Sequence, residues 1–138
     1  MAETLYTVTG VSKGGRAGGK AALAGGGLWF HNEHDKALGG SGEGVNPEQL
    51  FAIGWATCFN GAVLLVASQK KIDAAKAIVK CTVGLGKDAT SFALSAKITL
   101  SVPGLDPRQM QELVEAAHQV CPYSKATRNN IPVELAIE

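Results

Sequence analysis

Residues 46–70 read NPEQLFAIGWATCFNGAVLLVASQK. Asn46 is suited to cap a helix, Pro47 to fill its first position, where a missing N–H costs nothing, and Glu48 to face the positive end of the helix dipole. From Leu50 to Ser68, nineteen residues carry no charge. The pattern predicts a helix to about Lys70, roughly 36 Å long at 1.5 Å per residue, comparable with the diameter of a compact domain of this size. Because the helix is apolar nearly all round, one open sheet cannot cover it, and a chain with a single other strong helix leaves one side bare. A second copy of the chain is the expected cover.

The same run is long enough to be weighed as a membrane span, with Lys70 and Lys71 as its flank. Gly54, Thr57, Asn60, Gly61 and Ser68 dilute its apolarity, and no other segment could join it in a bundle. A buried core helix, with no membrane partner, is the simpler reading.

Working outward, a second helix is announced by Asp106–Pro107 and carries Met110, Leu113, Val114, Ala117 and Val120 at helical spacing. Pro122 stops it, which places Cys121 at its last turn. Strands are expected over Leu5–Ser12, Lys20–Ala24, Leu28–Asn32, Ile78–Gly86, Phe92–Val102 and Val133–Ile137. The fifth is the clearest, with Phe92, Leu94, Ala96, Ile98, Leu100 and Val102 on one face of a half-buried antiparallel strand. Residues 84–91, GLGKDATS, read as a hairpin connection, and 72–77 as short helical or turn structure. The glycine-rich stretches 14–19, 25–27 and 39–44 read as loops. The chain of 138 residues suits one well-buried core, so 1–138 is expected to be a single α+β domain.

Composition excludes several classes. A net charge of +1 and 6% aromatic residues supply neither a basic stripe for phosphates nor a stacking surface for single strands, so no nucleic acid is expected. The first residues, MAETLYTVTG, alternate in polarity and lack the basic-then-apolar profile of a secretion signal. Three cysteines without short spacings do not form a secreted disulfide framework and suit a reducing compartment, so a cytoplasmic protein is expected.

Familiar motifs fail on inspection. GLGKDA at 84–89 leads into a strand where a dinucleotide fold needs a helix, and GGSGEGVN at 39–46 has Val45 and Asn46 where a phosphate loop needs lysine and a hydroxyl. His31, Glu33, His34 and Asp35 read as a polar loop rather than a metal site, and His118 as a surface or interface residue. Cys81, among Val79, Val83 and Leu85, reads as a small apolar core residue.

Cys58 stands apart. Gly54, Gly61 and Ala62 lie one turn away on either side and leave room at the sulfur. A cysteine in mid-helix lacks the terminal dipole that favours thiolate, and Arg16, the single charge of GGRAGG at 14–19, is the available substitute. Glu48 is placed to orient that arginine. Glu48 and Cys58 are ten residues apart on one helix, about 15 Å along its axis, so if all three meet the glutamate comes from a partner chain.

GGRAGG at 14–19, NPEQLFAIGWATCFNGAV at 46–63 and LVEAAHQVCPYSKATRNNI at 113–131, in this order and near these intervals, closely resemble the organic hydroperoxide resistance branch of the Ohr/OsmC proteins. The resemblance covers almost the whole chain; residues 25–38, GGGLWFHNEHDKAL, depart most from the pattern. It implies a thiol peroxidase in which Cys58 matches the peroxidatic cysteine, Cys121 the resolving one, and Arg16 and Glu48 the activating pair. It also implies an intertwined α+β homodimer, with antiparallel sheets wrapped around long central buried helices and active sites at the subunit interface. No bound cofactor is implied; the reductant would be an external dithiol, dihydrolipoamide on a lipoylated protein. The apolar surroundings of Cys58, with Phe51, Trp55 and Phe59 on nearby turns, favour alkyl or fatty hydroperoxides over hydrogen peroxide. A non-catalytic dimer binding hydrophobic ligands would use the same apolar cleft but leave Arg16 and Glu48 unexplained; a redox sensor would form the disulfide without turning over, and its usual DNA-binding output finds no basic recognition face on the two helices.

Overall fold

The computed structural model describes residues 2–138 and divides the chain into two compact units, one running to Leu50 and one from Phe51 to Glu138. The first unit holds an antiparallel sheet of β1 (Gly10–Lys13), β2 (Lys20–Leu23) and β3 (Trp29–His31), in that order, with Ala21 opposite both Ser12 and Phe30. The expected first strand is halved. Residues 5–9 are exposed, Leu5, Tyr6 and Val8 among them, and form no strand; among the described residues their backbone link is the Ala24 N–H donating to the Thr9 carbonyl at 2.9 Å. A strand without a neighbour is only an extended segment.

Gly14, Gly15 and Gly18, in the β1–β2 loop, have φ of 85°, 69° and 73°, a region costly for residues with a β-carbon. A β-carbon on Gly19 would sit 2.3 Å from the Gly15 carbonyl oxygen. The loop therefore folds back on itself and presents Arg16. After β3 the chain makes a 3₁₀ turn at Lys36–Leu38, capped by the Asp35 carboxylate, and bridges Asn32 to Val45. At the start of α1 (Pro47–Gln69), the Gln49 N–H donates to Asn46 Oδ1 and the Asn46 N–H to Gln49 Oε1, both at 2.9 Å. This reciprocal capping box completes the expected helix start.

The second unit contains the rest of α1, then β4 (Ile78–Lys87), β5 (Phe92–Ser101), α2 (Pro107–Val120), α3 (Pro122–Thr127) and β6 (Val133–Ile137). β4 and β5 form an antiparallel hairpin paired as far as Lys87–Phe92, closed by Asp88, whose carboxylate accepts from the Thr90 and Ser91 amides. The connection is thus shorter than the expected 84–91. β6 pairs with β5 in parallel, so this sheet is mixed where antiparallel pairing was expected. The crossover through α2 and α3 returns the chain to the same end of the sheet, which only a parallel strand can follow.

Trp55, Phe59, Val63 and Val66 of α1, Ile98 and Leu100 of β5, and Leu113, Val114 and Ala117 of α2 form the core of this unit. The alternation of β5 holds from Ala96 to Val102, but Phe92 is 67% exposed, beyond the core at the hairpin end, with the Lys87 ammonium 5.3 Å from its ring centre. On α1 the residues between the core positions stay open: Ile53 is 66% exposed, Leu64 47% and Leu65 50%. By length and composition α1 could cross a membrane, but its Trp55–Val66 stripe lies in the core of the unit.

Asn46→Ala removes one side of the capping box. It is expected to lower stability by about 1 kcal/mol, with a fall in melting temperature of roughly 4 °C, measurable by thermal denaturation.

Candidate active site

α1 and α2 reach their sites because each opens on a capping residue followed by proline, and α3 repeats the device with Cys121 and Pro122. Cys121 is at once the C-cap of α2 and the N-cap of α3, with φ −60° and ψ 123°. It is fully buried, and its thiol donates to Cys58 Sγ across 3.5 Å. Cys58 projects from mid-α1 and is half-buried.

Aromatic side chains surround the pair. The Trp55 indole N–H donates to Ser124 Oγ at 3.3 Å, with both groups fully buried. Phe51 meets Trp55 and Tyr123 at ring separations of 5.3 and 6.2 Å. At Gly54 a β-carbon would touch the Tyr123 ring at 3.3 Å, so the bare helix surface there lets Tyr123 lie close.

Removal from water raises the Cys58 thiol above its ordinary range, and the neighbouring Cys121 sulfur adds to the rise. The Tyr123 backbone N–H, in the first turn of α3, opposes them by hydrogen bonding to the sulfur. The influence that opposes burial at mid-helix Cys58 thus comes from a different helix. Residues 58, 121 and 123 form one thiol site, and no cation of the second unit contributes to it among the described residues. Cys81 is pushed up to about 11 by burial, as befits an apolar core residue.

In the first unit Arg16 grips Glu48 with a two-pronged ion pair: Nη1 donates to Oε2 at 2.9 Å and Nη2 to Oε1. Glu48 is held below the usual carboxylate range, chiefly by these bonds and against its partial burial, and Arg16 is raised in return. The planar guanidinium matches the carboxylate fork, which an ammonium does not. His31 and Asp35 hold no such place. His34 adds a small favourable charge effect at Glu48, and its Nδ1 is buried without a partner among the described residues. The ring of His118 lies 6.4 Å from that of Phe59 on α1 and is partly buried.

The structure thus brings Cys58 to Cys121 and Arg16 to Glu48. Sequence reasoning missed Tyr123 and Ser124. The Cys121–Pro122 pair carried the signal for the helix that positions both, whereas the Trp55–Ser124 bond, across 69 positions, left none.

A model of the OsmC-like protein family matches residues 40–136. The chain is 42% identical over 137 residues to an organic hydroperoxide resistance protein of Xanthomonas axonopodis pv. citri, covering 98% of this chain and 96% of that one. It is 40% identical over 136 residues to the organic hydroperoxide resistance protein OhrB of Bacillus subtilis, covering 97% and 98% of the two. A crystal structure of an organic hydroperoxide resistance protein from Elizabethkingia anophelis superposes with a TM-score of 0.92 at 40% identity over 99% of both chains. With likeness in sequence and in structure running nearly end to end, the chain belongs to the OsmC-like family, among the organic hydroperoxide resistance proteins.

Proposed function

We propose that this protein is a thiol peroxidase that reduces organic hydroperoxides to alcohols through Cys58 and Cys121. The observation that carries the reading is the 3.5 Å separation of the two sulfurs inside an apolar, aromatic surround. Cys58 thiolate attacks the terminal oxygen of the hydroperoxide, the O–O bond breaks, and the alkoxide leaves as the alcohol on taking a proton. Cys58 is left as a sulfenic acid. The Cys121 sulfur attacks it, water is lost, and the Cys58–Cys121 disulfide forms. An external dithiol, dihydrolipoamide on a lipoylated protein, restores both thiols by exchange, so no bound cofactor takes part. Phe51, Trp55 and Phe59 make an alkyl or fatty substrate a better match than hydrogen peroxide.

Cys58 is held up as a thiol by its own surroundings, so a cation must be brought to it. Arg16 is that cation, oriented by Glu48, and it also polarises the peroxide oxygens. We place the Arg16–Glu48 pair of one copy at Cys58 of its partner in a homodimer. Two features support this: the ten-position separation of Glu48 and Cys58 along α1, and the open face of Ile53, Leu64 and Leu65 on the same helix. Burying such a side chain is worth roughly 1.5–3 kcal/mol. A cytoplasmic setting would keep the thiols reduced between turnovers.

Cys58→Ser is expected to abolish consumption of cumene hydroperoxide in a dihydrolipoamide-coupled assay. Cys121→Ser should stop after one equivalent and leave a sulfenic acid that a dimedone-type probe traps. Turnover by Cys58→Ser would sink the assignment.

Arg16→Gln leaves Cys58 to surroundings that favour the protonated form. At neutral pH its reaction with hydroperoxide should fall roughly hundredfold and should keep climbing as pH rises past the ordinary thiol range near 8.5. Wild type should level off by neutral pH, with Arg16→Lys between the two, as a stopped-flow pH profile will read. A Leu64→Glu, Leu65→Glu double variant should sediment as a monomer and lose most of its activity.

A further inference from the structure

Proline 122 stops α2 and thereby leaves a backbone group without its usual partner. In an α-helix the carbonyl of residue 118 accepts from the N–H of residue 122, and a proline has none. The Ala117 carbonyl is still served by the Cys121 N–H, at 2.9 Å. The His118 carbonyl is served by Arg128, whose Nη2 donates to it at 2.7 Å. Arg128 is the C-cap of α3, so its side chain reaches back over that helix to the last turn of α2 and closes a ten-residue loop around Cys121. A cation at a helix C-terminus also complements the dipole there.

The turn held in this way is the one that aims Cys121. The His118 ring lies against Phe59, the residue after Cys58, and the Lys125 N–H donates to the Cys121 carbonyl at 3.0 Å. Trp55 holds Ser124 from the other side. A disulfide needs its sulfurs about 2.05 Å apart, so the pair at 3.5 Å must close by about 1.5 Å, and a freely swinging helix end would make that approach rare.

We propose that Arg128 is a positioning residue for disulfide closure: by replacing the donor that Pro122 lacks, it keeps Cys121 within reach of the Cys58 sulfenic acid. The proposal rests on the peroxidase reading above. Arg128 touches neither the peroxide nor the Cys58 thiolate in that scheme, so it acts on the second step and not on the first. In that step Cys121 Sγ bonds to Cys58 Sγ, the S–OH bond breaks, and the hydroxyl leaves as water with the thiol proton. A slower closure leaves the sulfenic acid open to a second hydroperoxide, which carries it to the sulfinic acid.

Arg128 is exposed, so its replacement should leave folding intact, and the two steps can be timed separately in the full-length protein. In rapid mixing with one equivalent of cumene hydroperoxide, Arg128→Gln should form sulfenic acid within twofold of the wild-type rate. It should close the disulfide about three- to tenfold more slowly, the effect of one lost charge-assisted bond, and accumulate more Cys58 sulfinic acid per turnover by mass spectrometry. Arg128→Lys, which can still donate to the carbonyl, should recover most of the closure rate. Closure by Arg128→Gln at the wild-type rate, or equal slowing of both steps without rescue by lysine, would overturn the proposal. A wild-type protein that forms no disulfide would instead overturn the peroxidase reading, and this proposal with it.

Discussion

Two sulfurs held at contact distance inside an apolar core impose the central constraint on this molecule. One projects from the middle of a helix and the other occupies a corner between helices, and neither position is comfortable for a group that must ionise. The corner exists because proline 122 can neither continue α2 nor donate a hydrogen bond, yet is well suited to open α3. Around that single break the structure places an amide aimed at Cys58, a serine bound to a buried indole, and an arginine that replaces a lost donor.

The electrostatics of the two halves are complementary in kind. Residues 51–138 hold the nucleophile in surroundings that discourage its charge, while the sheet unit before them holds a cation already paired with a carboxylate. An ion pair of this geometry keeps the arginine oriented without neutralising it outright, because the guanidinium retains N–H donors beyond those given to Glu48. Under the proposed mechanism the sulfur becomes a strong nucleophile only when a cation is brought to it, since burial favours the protonated thiol.

Much of this could be read from the residues. Asn46–Pro47 and Asp106–Pro107 located both long helices, and the alternation through Ala96, Ile98, Leu100 and Val102 fixed the buried face of β5. Arg16 stood out as the single charge of a glycine-rich loop and Glu48 as the carboxylate able to orient it, and they do form a pair. What escaped was non-local. The direction of β6 depends on where a crossover returns the chain, and the first strand is short because residues 5–9 meet no ladder partner among the described residues. The Tyr123 amide was invisible because a backbone N–H belongs to nearly every residue and only folding aims it. α3 escaped although it repeats the cap-then-proline signal, since a six-residue helix leaves almost no periodicity to recognise.

The two tryptophans fall into opposite environments: Trp29 is 66% exposed on β3, whereas Trp55 is fully buried with its indole N–H on Ser124, three residues past Cys121. A backbone shift of the corner that brings the sulfurs together would bear on that indole bond. The chain thus carries its own optical gauge, one fluorophore in water as a constant reference and one wired to the redox centre, so that emission from an unlabelled sample can follow the thiols through their cycle.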